Sequence, residues 1–92
     1  MAFEIYPEKD DNGVATGAQA WRLHEMENES TIAVGGEGFT TAEHAEAAVA
    51  NVMLRAQEML HPGRYKRAEL TTRRNEMLEY LQTSGQIRRV AD

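Results

Sequence analysis

The chain has 92 residues, no cysteine and a formal net charge of −5. That length supports one small domain burying roughly 60–65 % of its unfolded surface, and excludes multi-domain machinery. The lack of cysteine excludes a disulfide framework, a thiolate nucleophile and a Cys-ligated metal centre, while 41 % hydrophobic and 27 % charged residues exclude wholesale disorder.

Residues 2–7 alternate, with Phe3 and Ile5 on one side and Glu4 and Tyr6 on the other. Period two predicts a strand that Pro7 ends or marks as an edge. Residues 8–17 are a polar connection with a turn at Asn12-Gly13. Residues 18–26 alternate again and place Trp21 and Leu23 inward, Arg22 and His24 outward. After a short turn at Glu27–Ser30, Thr31–Gly35 is expected as a third strand with Ile32 and Val34 inward. Three strands with short links predict an antiparallel meander. The run Gly35-Gly36-Glu37-Gly38-Phe39 is expected to break the sheet.

Thr40 with Glu43 three residues on has the form of a capping box. A helix is predicted from Thr41 to about Leu60, its buried stripe Ala45, Ala48, Val49, Val52, Met53, Ala56, Met59 and Leu60. His61-Pro62-Gly63 should stop it. A second helix is expected from about residue 66 or 72 to 83, burying Leu70, Met77, Leu78 and Leu81. Gly85 suits the position just past its end, and residues 86–90 read as a short added strand or a loose tail. The fold class is therefore α+β. A three-stranded antiparallel β-meander is packed by a long α-helix, followed by a second helix and a short C-terminal tail or strand. Residues 1–92 form a single domain, with a βββα core over 1–60 and a basic helical extension over 61–92. One helix covers one sheet face. The other face, carrying Glu4, Tyr6, Arg22 and His24, is open to a partner, a second copy or solvent.

No catalytic constellation can be assembled. His24, His44 and His61 fall on a strand, a helix start and a helix end, without metal-ligand spacing. The glycines before the first helix lack the Walker ending and the dinucleotide-binding spacing. Ser30 and Ser84 lack a nucleophile-elbow context. The expectation is a protein that is not an enzyme and uses no metal, cofactor or small-molecule substrate. The N-terminus shows no signal-peptide pattern and no window approaches a membrane span, so a cytoplasmic protein without membrane contact is expected.

Charge is divided unevenly. Residues 1–60 hold three cations against eleven acids; residues 61–92 hold seven cations against four acids. Two kinds of partner surface follow. The acidic candidates for protein binding are Glu25, Glu27, Glu29 and Glu37. The basic candidates for RNA or partner binding are Arg64, Lys66, Arg67, Arg73, Arg74, Arg88 and Arg89. Six of these seven are arginine, whose planar donor fork suits phosphate and carboxylate. Interleaved Glu69, Glu76 and Glu79 offer the alternative of ordinary ion pairs along a helix.

Phe3-Glu4-Ile5-Tyr6, Trp21-Arg22-Leu23, Ile32-Ala33, Gly36-Glu37-Gly38-Phe39 and Ala45-Glu46-Ala47 leading into Val49-Ala50-Asn51-Val52 make residues 3–53 similar to the YegP-like family of small domains. That resemblance implies a β-meander packed by a helix, often tandem or dimeric, with no assigned catalytic residues. The segment after residue 60 departs from that pattern. In length, acidity and order of elements the whole chain resembles phage-encoded anti-CRISPR proteins of the type I-F class. The second resemblance implies binding to the Cascade-like (Csy) surveillance complex, with loss of target DNA binding. Acids such as Glu25, Glu27, Glu29 and Glu37 would then pair with Cas lysines that hold DNA, and the C-terminal arginines would touch the guide RNA backbone. The alternatives are a YegP-like housekeeping homodimer and a nucleic-acid-binding accessory protein, the latter opposed by the net charge.

Overall fold

The computed structural model describes residues 2–25, 31–63 and 66–90. Strands β1 (Ala2–Lys9), β2 (Ala15–His24) and β3 (Thr31–Phe39) precede helix α1 (Ala42–Leu60). A single 3₁₀ turn, Arg67–Glu69, leads into α2 (Leu70–Thr83), and β4 (Ile87–Arg89) closes the described chain. The four strands form one mixed sheet in the order β3-β2-β1-β4. The β1–β2 and β2–β3 pairs are antiparallel, and β1–β4 is parallel. The fold is α+β, as expected, with β4 adding a fourth strand to the meander.

Pro7 lies inside β1, opposite Gln19, rather than at its end. The Phe3 N–H donates to the Gln86 carbonyl, and the Ile5 carbonyl accepts from Val90 N–H. Odd-numbered residues of β1 thus turn their polar backbone toward β4. Beyond Ile5 that partner has ended, so the missing proline N–H costs no ladder bond. At the β1–β2 turn, the Asp10 carboxylate accepts from the N–H groups of Asn12 and Val14, both at 2.9 Å.

The glycine run does not break the sheet, because β3 continues through it to Phe39. Between the pairs Trp21↔Gly35 and Gln19↔Phe39, the single residue Ala20 of β2 faces Gly36, Glu37 and Gly38, a bulge rather than a termination. Gly35 serves packing. A Cβ built there would lie 2.7 Å from Cζ2 of the Trp21 ring. Gly35→Ala is expected to displace that ring and cost about 1–3 kcal/mol, in the range of an overpacked core. Denaturant unfolding with Trp fluorescence checks this, since a moved indole changes both midpoint and native spectrum.

Val34 is a correction. It is 67 % exposed, facing away from the helix. It pairs with Arg22, whereas Trp21, on the opposite face, packs toward the core. Val34 and its neighbour Gly35, which faces the Trp21 ring, therefore lie on opposite sides of the sheet. The side chain of Ile32, expected inward with Val34, lies outside the described set.

The α1 N-cap falls one residue later than the capping-box pattern suggested. Thr41 Oγ1 accepts the His44 N–H at 3.1 Å, and Glu43 turns to Arg89 instead. At the other end His61 N–H bonds back to the Gln57 carbonyl. The buried residues of α1 are Ala45, Glu46, Val49, Ala50 and Leu54, with Met53 packed beside them. Val52, Ala56, Met59 and Leu60, placed in the buried stripe by periodicity, are exposed. Nineteen residues make a helix about 28 Å long, and its last two turns carry the stripe past the elements that bury its first half.

Helix α2 packs against α1. It ends in a paired-bond cap: Gln86 N–H reaches the Leu81 carbonyl, Gly85 N–H reaches that of Gln82, and Gly85 sits at φ +74°. This cap turns the chain into β4. The core joins Phe3, Ile5, Ala45, Val49, Leu81 and Ile87, flanked by Trp21, Leu23, Phe39, Met53, Met77 and Leu78. The Trp21 ring meets Phe3 edge-on at 5.8 Å.

Candidate interaction surfaces

The register lines up Val34, Arg22, Glu4 and Arg88 across the sheet, on the face away from α1. Glu4, at the centre, is only 4 % exposed. Its Oε1 accepts from Arg22 Nε at 2.9 Å and its Oε2 from Arg88 Nε at 2.9 Å. Arg22 also lies over the Tyr6 ring, 4.7 Å from its centroid. Burial pushes the Glu4 carboxyl up, but hydrogen bonds and charge from Arg22 and Arg88 outweigh it and hold the pKa below its ordinary value. This face is therefore a closed ionic cluster at its centre rather than an empty polar surface.

A second cluster ties β4 to α1. Arg89 reaches Glu46 at 2.7 Å and Glu43 at 3.2 Å. A hydrogen bond to its own backbone, with the charge of Arg89, lowers the pKa of the Glu43 carboxyl. The bond to Glu46 raises the pKa of the Arg89 guanidinium. On the helical side, Arg73 pairs with Glu76 at 3.0 Å and Arg55 with Glu58 at 2.9 Å. An open groove of about 380 Å³ runs between the helices, lined by Leu54, Gln57, Arg73, Glu76, Met77 and Tyr80.

The basic candidates therefore separate. Arg88 and Arg89 hold β4 to β1 and α1, two elements that sequence spacing could not connect to it. Arg73 makes an ion pair one turn along its own helix. Lys66, Arg67 and Arg74 make no ion pair with another described residue. Lys66 and Arg67 are exposed at the start of the second helical segment, and Arg74 is half-buried. Arg64 lies outside the described residues. Of the acidic candidates, Glu25 is half-buried just past β2. Glu37 sits in the β3 bulge with its side chain outside the described set, and Glu27 and Glu29 lie outside it altogether. The described residues bring neither set together into one patch.

Sequence reasoning missed two buried acids, Glu4 and Glu46. Alternation placed Glu4 and Arg22 on one face, but nothing local signalled Arg88 as the third member. Among the described residues no group of three or more His, Asp or Glu side chains is placed to hold a metal ion. Among the described residues no helix is long and apolar enough to cross a membrane.

No family model, curated protein or solved structure matches the chain.

Proposed function

We propose that the chain is a stoichiometric binding protein that inhibits a type I-F CRISPR surveillance complex by occluding its DNA path. The reading starts from the whole-chain resemblance. The observation that supports it is that three cations, Lys66, Arg67 and Arg74, make no ion pair with another described residue, on a chain whose first sixty residues are strongly acidic. Such a chain can meet a ribonucleoprotein at two separate places. Acids oppose lysines that otherwise hold DNA, while the basic helical segment meets phosphate or carboxylate. Arg74, with Arg73 beside it, carries the contact along α2.

Co-purification of the tagged protein with purified type I-F complex, followed by target-DNA binding at moderate salt, tests the proposal. Stable association with loss of DNA binding is the expected result. The double variant Arg73→Glu/Arg74→Glu should weaken association by about tenfold or more. It should cost only about 1 kcal/mol of stability, the scale of exposed helix ion pairs together with a partly buried arginine stem. Binding at wild-type affinity by that variant would remove α2 from the interface. A wild-type protein that sediments as a dimer and ignores the complex would instead favour the YegP-like reading.

A further inference from the structure

Two buried carboxylates, Glu4 on β1 and Glu46 on α1, meet the same short strand. Arg88 and Arg89 are neighbours in β4, so strand alternation sends them to opposite faces of the sheet. On the face away from α1, Arg88 Nε donates to Glu4 at 2.9 Å. On the helix side, Arg89 meets Glu46 at 2.7 Å and Glu43 at 3.2 Å. The edge strand is thus stapled from both faces. Its other attachments are few. It pairs with β1 alone, and Ile87 is its one buried side chain. The Arg88 and Arg89 side chains are 42 % and 51 % exposed, so water and salt reach both ion clusters.

We infer that β4 is a clasp that opens as a unit while the other three strands and both helices stay in place. Gly85, at φ +74°, is the joint between α2 and the clasp. Opening leaves Glu4 with Arg22 at 2.9 Å and Glu46 with the Gln82 amide at 3.5 Å. Neither carboxylate is stripped of every partner, so the rest of the fold tolerates the open form. Opening uncovers the β1 edge at Phe3 and Ile5. It also frees two guanidinium groups that the closed clasp holds against Glu4, Glu43 and Glu46. The clasp therefore controls when Arg88 and Arg89 are presented to an outside carboxylate or phosphate.

Native-state hydrogen exchange followed by NMR tests this, with an internal control in β1. The backbone groups of Phe3 and Ile5 turn toward β4, whereas Glu4, between them, turns toward its β2 partner Arg22. Fraying of β1 would release all three amides; opening of the clasp releases only Phe3 and Ile5. Those two should be protected at least about tenfold less than Glu4. Their protection should also fall less steeply with urea, because clasp opening exposes little surface. Raising NaCl from about 0.1 M to about 1 M should lower it about threefold more than that of Glu4. Gly35→Ala strains a contact with Trp21 that closed and open forms share. It should reduce the protection of Glu4 and leave that of Phe3 and Ile5 unchanged. Glu46→Gln weakens the closed form alone and should reduce both. Equal protection of all three amides in the wild type would overturn the clasp, since β4 would then leave only with the whole domain. So would a common fall of all three in Gly35→Ala.

Discussion

Ile5→Ala is expected to lower the unfolding free energy by about 3–4 kcal/mol. Ile5 is 1 % exposed on β1, which has β2 on one side and β4 on the other. Its side chain joins Phe3, Val49, Leu81 and Ile87, so one truncation opens a cavity shared by the sheet and both helices. A chain of this size has a stability of roughly 5–14 kcal/mol. The loss is thus a large share of the total and should lower the melting temperature by roughly 12–30 °C. Calorimetry on Ile5→Ala beside Ile5→Val, which removes one methylene and should cost about 1 kcal/mol, measures it. Equal midpoints for the two variants would mean that the core does not close over β1.

Glu4→Gln is the second large effect, at about 2 kcal/mol near neutral pH. Removing one partner of a fully buried pair costs about 3–5 kcal/mol. Here Arg22 and Arg88 retain access to water, with side chains 28 % and 42 % exposed, and the cost is correspondingly smaller. The pH dependence has a definite sign. The pKa of the Glu4 carboxyl is lowered in the folded state by Arg22 and Arg88, against the opposing effect of burial. Its contribution is therefore fully present above the ordinary value of 4.5 and is lost as the pH falls through the lower folded value. Stability curves of wild type and Glu4→Gln should be separated at pH 7 and converge below pH 4.5. A constant gap across that range would show that the charge on Glu4 does not stabilise the cluster.

The two effects differ in how far they could be read from local pattern. Alternation in Phe3-Glu4-Ile5-Tyr6 sufficed to place Ile5 inward, because a strand half-buried by a helix has only two faces. The same alternation placed Glu4 outward, yet it is buried. Its burial comes from Arg22 on β2 and Arg88 on β4, and the second of these lies 84 residues away. A short apolar-basic segment after a helix carries no signal of which strand it will join. The Gly85 cap turns the chain, but pairing with β1 is decided by the free edge that β1 presents.

The sequence by itself determined the kinds and order of the three strands and two helices, and left residues 86–90 open between a strand and a tail. Period-two and period-3.6 patterns, the Asn12-Gly13 turn, the His61-Pro62-Gly63 stop and Gly85 act within a few residues, where sterics and hydrogen bonding are local. It did not determine how far each element runs or what it meets. The glycines of β3 look like a break until Trp21 is laid over Gly35. The apolar face of α1 looks buried throughout until the cover over it ends and leaves Met59 and Leu60 in water. Arg88 and Arg89 look free until β4 docks and hands them to Glu4, Glu43 and Glu46. Each of these was settled by contacts between segments distant in sequence, since burial and ion pairing depend on which surfaces the assembled fold brings together.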